Sequence, residues 1–397
     1  MTHPITRREG LLTSAWYWAL FFAFGAHLPY WPIWLADWGL SQAEIGTYLG
    51  LALVLRVIGA TVLPALADRF AARRVVISVA GLAAAAVFFL HLFIDARPAL
   101  LAATLAAAFV TAPLIPLGEA LGVRAAVMHG FAYAHARAAG SLAFLVMNVG
   151  LGALIARLGP GVVLWAVVLN FLAVAALGAV HPGGGAPPGA GLDRSKLREA
   201  GALLKHPVFL TFAVAASIGQ ASHAVYYVYG TLGWLGQGIG AGVIGLLWAT
   251  GVVAEIGLML GPGRRLVARI GPTRAIMLAG LAGVLRWGLM SLTPELAWLW
   301  PVQCLHALTF GLGHLGAMAF IAVAIPPRLL ASAQGLYGGG MGGVAIALAT
   351  LAAGGISIAY GAASAYWLAA AMSGAALAAA LRLEQIWDGG LIVSDQT

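Results

Sequence analysis

Apolar stretches of about 20 residues follow one another along the whole chain, parted by short polar turns. A chain inside a bilayer must satisfy its own backbone N–H and C=O groups, so only helices and closed barrels can cross one. Barrel strands read as weak alternating segments of about ten residues. The apolar runs here are continuous, which points to an all-α, polytopic membrane protein. Twelve spans fall near residues 12–35, 43–67, 74–94, 98–121, 133–157, 161–181, 206–230, 240–261, 273–292, 295–323, 331–357 and 361–383. Charged residues make up 9% of the chain, against about 25% in an ordinary soluble domain.

The basic residues set an orientation. With the N-terminus on the cytoplasmic side, 17 of the 21 Lys and Arg residues lie at cytoplasmic ends or loops. Arg97 and Arg157 fall outside, and Arg56 and Arg286 fall within spans. Positive charge gathers on the cytoplasmic side of membrane proteins, so both termini are expected there. The net charge of +8 is read as this signal, and no nucleic-acid partner is expected. The start "MTHPITRREGLL" has the charge of a signal peptide. Its apolar run continues to "HLPYWPIWL" with no small-residue cleavage site, so the first span is read as retained. The single cysteine, Cys304, excludes an intrachain disulfide and a multi-cysteine metal site, and no metal is expected.

The long polar interruption "HPGGGAPPGAGLDRSKLREAGALLKHP", from His181 to Pro207, divides the spans six and six. The expected organisation is a six-helix bundle over 1–182, a cytoplasmic linker over 183–205 and a second six-helix bundle over 206–397. The halves resemble each other at an offset of 199 residues. "IGTYLGLALVLRVIG" from Ile45 faces "IGLLWATGVVAEIGL" from Ile244, and a basic loop follows each. Arg56 then corresponds to Glu255. Weak symmetry between two six-helix halves is the mark of a transporter with its site between repeats. Chance similarity of two Ala/Gly/Leu-rich helices is the plain alternative, and the paired basic loops argue against it.

Several stretches carry a family resemblance: "GLALVLRVIG" in span 2, "QASHAVYYVYG", "WATGVVAEIGL" and "GVLRWGLM" in spans 7 to 9, and "QCLHALTFGLGHLGAMAFIA" in span 10. The loop "LADRFAARR" is a partial form of a superfamily loop motif. It keeps Leu66, Asp68, Arg69 and Arg73, and both usual glycines are missing. On these grounds the chain resembles the major facilitator superfamily. More narrowly it is similar to the 3-phenylpropionic acid transporter group, near nucleoside:proton symporters and lactose permease. The resemblance implies two pseudo-symmetric six-helix bundles and transport by alternating access. It also implies a gating role for Asp68 and Arg69 in the loop, with a partner near the start of span 11, at Ser332 to Gln334.

Ionisable groups inside a bilayer are costly and usually functional. Glu255 and Arg286, on consecutive spans, are expected to pair, because an unpaired buried charge costs several kcal/mol. The structural alternative is an ion pair that only ties helices together. The functional alternative is a proton site with Glu255, Arg286, His306 and His314 as its members. His306 and His314 are eight residues apart and lie near one face of a helix. Lactose permease is similar in having an acid, an arginine and a histidine on these three spans. This chain lacks the further acid on span 10. Glu119 and Arg137 resemble a substrate-recognition pair of lactose permease, or are interfacial residues facing water. Tyr30, His223, Tyr226 and Tyr227 suit a cavity for an aromatic acid, with rings for stacking and polar tips for the carboxylate. Interfacial aromatic belts are the alternative for such residues. Arg56 should face the bundle interior, with a bound carboxylate, a group such as Gln334 or Tyr337, or backbone carbonyls as partner.

The expected protein is therefore a monomeric secondary transporter of a bacterial inner membrane. Its partners are protons, a small-molecule substrate and lipid. No phosphate-binding loop is present and no cofactor is expected, so energy comes from a proton gradient. A small aromatic carboxylate is the leading substrate class. A nucleoside or sugar symporter, an exporter and a non-transporting sensor are the competing readings. No nucleophile–base constellation marks an enzyme.

Overall fold

The computed structural model describes residues 8–184, 201–326 and 329–393. Most of the linker, and the basic residues Arg7, Arg194, Lys196, Arg198 and Arg328, lie outside the described residues. The first half comprises α1 (Arg8–Trp38), α2 (Gln42–Arg69), α3 (Arg73–Leu90), α4 (Arg97–Thr111), α5 (Leu114–His129), α6 (Tyr133–Leu158) and α7 (Val162–Ala179). The second comprises α8 (Pro207–Ala221), α9 (Ala224–Gly236), α10 (Ala241–Leu260), α11 (Gly263–Ile270) and α12 (Pro272–Ser291). It continues through α13 (Leu296–Cys304), α14 (Gly313–Ala324), α15 (Leu330–Gln334), α16 (Gly343–Tyr360) and α17 (Ala365–Ile386).

Among the described residues, 11 helices or joined helices are long and apolar enough to cross a bilayer. A twelfth span comes from α12, which α11 meets at a bend of 114°. The bend has local causes. Gly271 takes a φ of +89°, open to glycine at no steric cost, and Pro272 starts the next helix, where its missing N–H is harmless. Helix α11 carries Arg264, Arg265 and Arg269 on its exposed side and buries Val267. The fourth span breaks into α4 and α5 at Ala112 and Pro113.

Contacts divide the chain into two units. One is bounded by Met1–Leu40, Leu51–Leu192 and Gly240–Leu246, the other by Ser41–Gly50, Asp193–Ile239 and Leu247–Thr397. The same pairs of helices pack within each. In the first unit α3 and α1 lie against α7; in the second, α12 and α8 lie against α17. Third-on-sixth and first-on-sixth packing thus recur. Glycines permit the close approach. A Cβ on Gly81 would stand 2.8 Å from the backbone of Ala175, and one on Gly280 would stand 3.1 Å from Leu377. Gly81 and Gly280 are separated by the same 199 residues that align the halves. Small residues at helix crossings are how apolar helices pack where lipid offers no hydrophobic drive.

Side-chain exposure follows lipid-facing stripes. On α2 the exposed apolar residues are Leu51, Val54, Ile58, Val62 and Leu66, on one helical face. Arg56 lies two residues from Ile58, about 160° round the helix, and is half-buried. In the first unit Gly118 faces the fully buried Trp16, and a Cβ there would overlap the indole. Gly118→Ala should cost about 1–3 kcal/mol through overpacking. A lowered thermal-unfolding midpoint in detergent, with no change in an exposed control such as Gly150→Ala, is the expected reading.

Candidate functional site

A polar cluster inside the second unit surrounds Arg286, which is 0% exposed. Its Nη1 donates to His306 Nδ1 at 3.0 Å and to Thr309 Oγ1 at 3.0 Å. Its Nη2 donates to Gln303 Oε1 at 3.0 Å. The guanidinium also lies over the rings of Trp287 and Tyr226, at 4.5 and 5.1 Å. No carboxylate pairs with it among the described residues. The expected Glu255–Arg286 contact is therefore corrected: Glu255 Oε2 meets His306 Nε2 at 3.3 Å, and the imidazole stands between acid and cation. The cation is held by neutral acceptors and ring faces.

Donor and acceptor rules fix the protons in this chain. A guanidinium only donates, so His306 Nδ1 is a bare lone pair, and Nε2 carries the hydrogen that reaches Glu255. Thr309 Oγ1 accepts from Arg286, so its own hydrogen is free to go to His223 Nε2, 3.1 Å away. His223 Nδ1 then donates to the Gln220 carbonyl at 3.0 Å. Both imidazoles are neutral in this arrangement. A second proton on His306 would face Arg286 donor to donor. Arg286 Nε and Gln303 Nε2 are buried without acceptors among the described residues.

Local backbone breaks put these groups together. Ser222 and His223 separate α8 from α9, where the Ser222 hydroxyl bonds Gly219 O and the His223 ring bonds Gln220 O. Such side chains compete with the helical ladder. In span 10, Ala307–Leu312 is π-helical, and Gln220 Nε2 donates to Phe310 O at 3.3 Å. The second π-helical segment, Gly335–Gly342 in span 11, offers Tyr337 O to Ser217 Oγ at 3.0 Å. A π-turn widens the ring of hydrogen bonds, and segments of this kind recur at functional sites. Within the first of them, a Cβ on Gly311 would stand 3.2 Å from Glu255 Cγ. Glycine there lets α10 bring its carboxyl group to span 10.

Each remaining expected residue has a definite place. His306, Phe310 and His314 stack in sequence, at 5.2 and 6.4 Å between rings, so the two histidines share a face. Tyr226 packs on Trp248 at 4.3 Å, and Tyr227 stands 6.0 Å from His223. Tyr30 bonds Asn148 O at 2.5 Å, tying α1 to α6 with its ring fully buried. In the first unit Arg137 Nε meets Glu119 Oε1 at 2.7 Å. Tyr133 donates to the other carboxylate oxygen, and Phe21 lies 4.2 Å from the Arg137 guanidinium. Arg56 rests over Phe24 at 5.2 Å, with no carboxylate partner among the described residues. Asp68 gives its carboxylate to Arg73, across a turn in which Ala71 takes a φ of +52°. Arg73 lies five residues on, at the start of α3, and the gating role of Asp68, Arg69 and Gln334 with a partner at Ser332 to Gln334 stays an expectation. Arg69 lies 5.6 Å from the Phe70 ring, and Gln334 is exposed at the end of α15.

Gln303, Thr309 and Trp287 escape the sequence reading. Gln303, His306 and Thr309 are spaced by three, a polar stripe in an apolar span, and that spacing is the signal that could have found them. Arg286→Met should leave three acceptors without their donor and lower stability by about 2–4 kcal/mol. Thermal unfolding of the purified protein checks this.

Two half-bundles with repeated packing and a buried charge network inside a lipid-facing shell define a polytopic transporter of the major facilitator fold. The chain belongs to the MFS_1 like family, which matches residues 11–369. A relative from Escherichia coli (strain K12), described as a probable 3-phenylpropionic acid transporter, is 30% identical over 85% of this chain and 88% of its own. The maltose permease of Geobacillus stearothermophilus is 27% identical over 82% of this chain and 83% of its own. The crystal structure of the nucleoside transporter NupG superposes with a TM-score of 0.78 at 15% identity. That superposition covers 96% of this chain and 100% of NupG, and it bears on the fold alone. These relatives are transporters, in keeping with a non-enzymatic protein.

Proposed function

We propose that this protein is a proton-coupled importer of a small aromatic carboxylate, working by alternating access in a bacterial inner membrane with both termini cytoplasmic. The observation that carries the coupling is the buried chain Glu255–His306–Arg286, in which a neutral imidazole separates acid from cation. A proton arriving at Glu255 turns a charged acceptor into a neutral one. The His306 Nε2–H bond then weakens, and α10 loses its polar tie to span 10. The similarity to a probable 3-phenylpropionic acid transporter supports the substrate class. Arg56 is the group best suited to take the carboxylate, since Arg137 already holds Glu119 and Arg286 already has three acceptors. Coupling also has a driving reason. An inside-negative potential opposes entry of an anion by about 2.3 kcal/mol per charge per 100 mV, and one co-transported proton removes that term.

In proteoliposomes with an inward proton gradient, labelled 3-phenylpropionate should accumulate, with proton uptake dependent on substrate. Competition should favour aromatic acids over nucleosides and disaccharides. Concentrative uptake of a nucleoside or of maltose, with aromatic acids inert, would replace this reading with the sugar or nucleoside one.

A further inference from the structure

Helix α11 has two unlike faces. Arg264, Arg265 and Arg269 are exposed and fall within an arc of about 140° round the helix. Leu266, Val267 and Ile270 occupy the opposite side. Val267 joins Ala275 and Leu312 in a buried apolar cluster, and Leu266 and Ile270 pack against it beside Leu258 and Leu308. Gly263 permits the close approach: a Cβ there would stand 2.6 Å from Leu258 O and 2.7 Å from Leu315 Cδ1. The apolar face is thus covered by the protein itself, and the basic face is left over.

Depth in the bilayer follows from the helix before it. Val253 and Leu260 share one face of α10 and are 53% and 85% exposed, a lipid-facing stripe. The stripe ends at Leu260, and α11 starts three residues later at Gly263. The bend of 114° to α12 lays α11 across the direction of the spans, roughly parallel to the membrane plane. A headgroup layer is about 5–8 Å deep and begins where the hydrocarbon stops, so the flank of α11 lies at its level. No carboxylate pairs with the three arginines of α11 among the described residues, and Glu384 is already bonded to Thr273 and Arg274. Guanidinium groups match phosphate oxygens in shape and charge, and an in-plane helix with a basic face is drawn to anionic lipid.

We propose that the basic face of α11 is a docking site for anionic phospholipid headgroups, on the side of the bilayer where the basic loops gather. The site borders the Glu255 contact. Leu258 lies one turn beyond Glu255 on α10, and a Cβ on Gly311 would stand 3.2 Å from Glu255 Cγ and 3.6 Å from Leu258 Cδ2. A headgroup held by α11 therefore braces the end of α10 that carries the acid. Lipid binding is read without transport, so the substrate reading can fail and leave it standing.

The test reads the lipids beside a single fluorophore on the full-length protein, in nanodiscs of phosphatidylglycerol and phosphatidylcholine in equal parts. Cys304→Ser removes the one cysteine of the chain, and Ala268→Cys, exposed amid the arginines, takes the label. Nitroxide-bearing phosphatidylglycerol should quench the label at least about threefold more strongly than nitroxide-bearing phosphatidylcholine at the same mole fraction. Added salt should shrink that preference by screening. Arg264→Gln, Arg265→Gln and Arg269→Gln together should bring the two lipids to equal quenching. Glutamine is about as good a helix former as arginine, so the fold should hold, and an unchanged melting midpoint verifies this. A label at Leu292→Cys, 68% exposed beyond the far end of α12, should prefer neither lipid. Equal quenching at position 268 in the otherwise parental protein, a preference that survives the triple substitution, or one of the same size at position 292 would each overturn the proposal. Quenching by neither lipid, with labelled polyglutamate bound by the parent and lost by the triple variant, would overturn it in favour of an acidic protein partner.

Discussion

Glu255→Gln should abolish concentrative uptake while leaving exchange intact. Glutamine keeps the shape of the protonated acid and still offers an oxygen to His306 Nε2, so the packing against Gly311 is preserved. What it loses is the ability to gain and release a proton. With one proton per substrate, accumulation scales about tenfold for each pH unit across the membrane. Under a gradient of about two units the parent should therefore accumulate substrate about 100-fold, and the variant should only equilibrate it. Counterflow, which needs no net proton movement, should persist. Accumulation by Glu255→Gln at the parental level would remove Glu255 from the coupling.

Arg56→Ala should raise KM for the carboxylate substrate about 100-fold, with protein level in the membrane unchanged. The magnitude follows from losing a charge-assisted pair in a poorly hydrated site, about 2–5 kcal/mol. Insertion is spared because α2 becomes more apolar, not less. Arg56→Lys restores the charge but not the planar fork that rests on Phe24, so partial recovery of KM is expected. If both variants keep the parental KM, the carboxylate binds elsewhere, and the Arg137 guanidinium beside Phe21 becomes the site to test.

Much of the architecture is legible in the sequence. Span length and apolarity give helices, and Pro113, Pro272 and Gly271 mark where helices stop or turn. The offset of 199 residues, read from a faint repeat, returns in the matched glycines Gly81 and Gly280 at equivalent helix crossings. The site is legible only as a set of members. Glu255, Arg286, His306 and His223 stand out as polar groups in apolar spans, and the structure gathers all four in one network. Their pairing does not stand out. Charge complementarity alone favours Glu255 with Arg286, and neither π-helical segment shows in a pattern built on 3.6 residues per turn.

The sequence by itself determined that this chain is an all-α membrane protein of two related halves, and which ionisable groups lie within its spans. Those are one-dimensional properties: apolar length, the position of breakers, and the cost of charge in hydrocarbon. Only the tertiary structure decided that His306 separates Glu255 from Arg286, that Asp68 pairs with Arg73, and that Arg56 rests on a ring face. Side chains on different helices meet according to how the helices cross and where a π-turn rotates one face against another. A hydrogen bond tolerates only a few tenths of an ångström, so small rotations choose the partner.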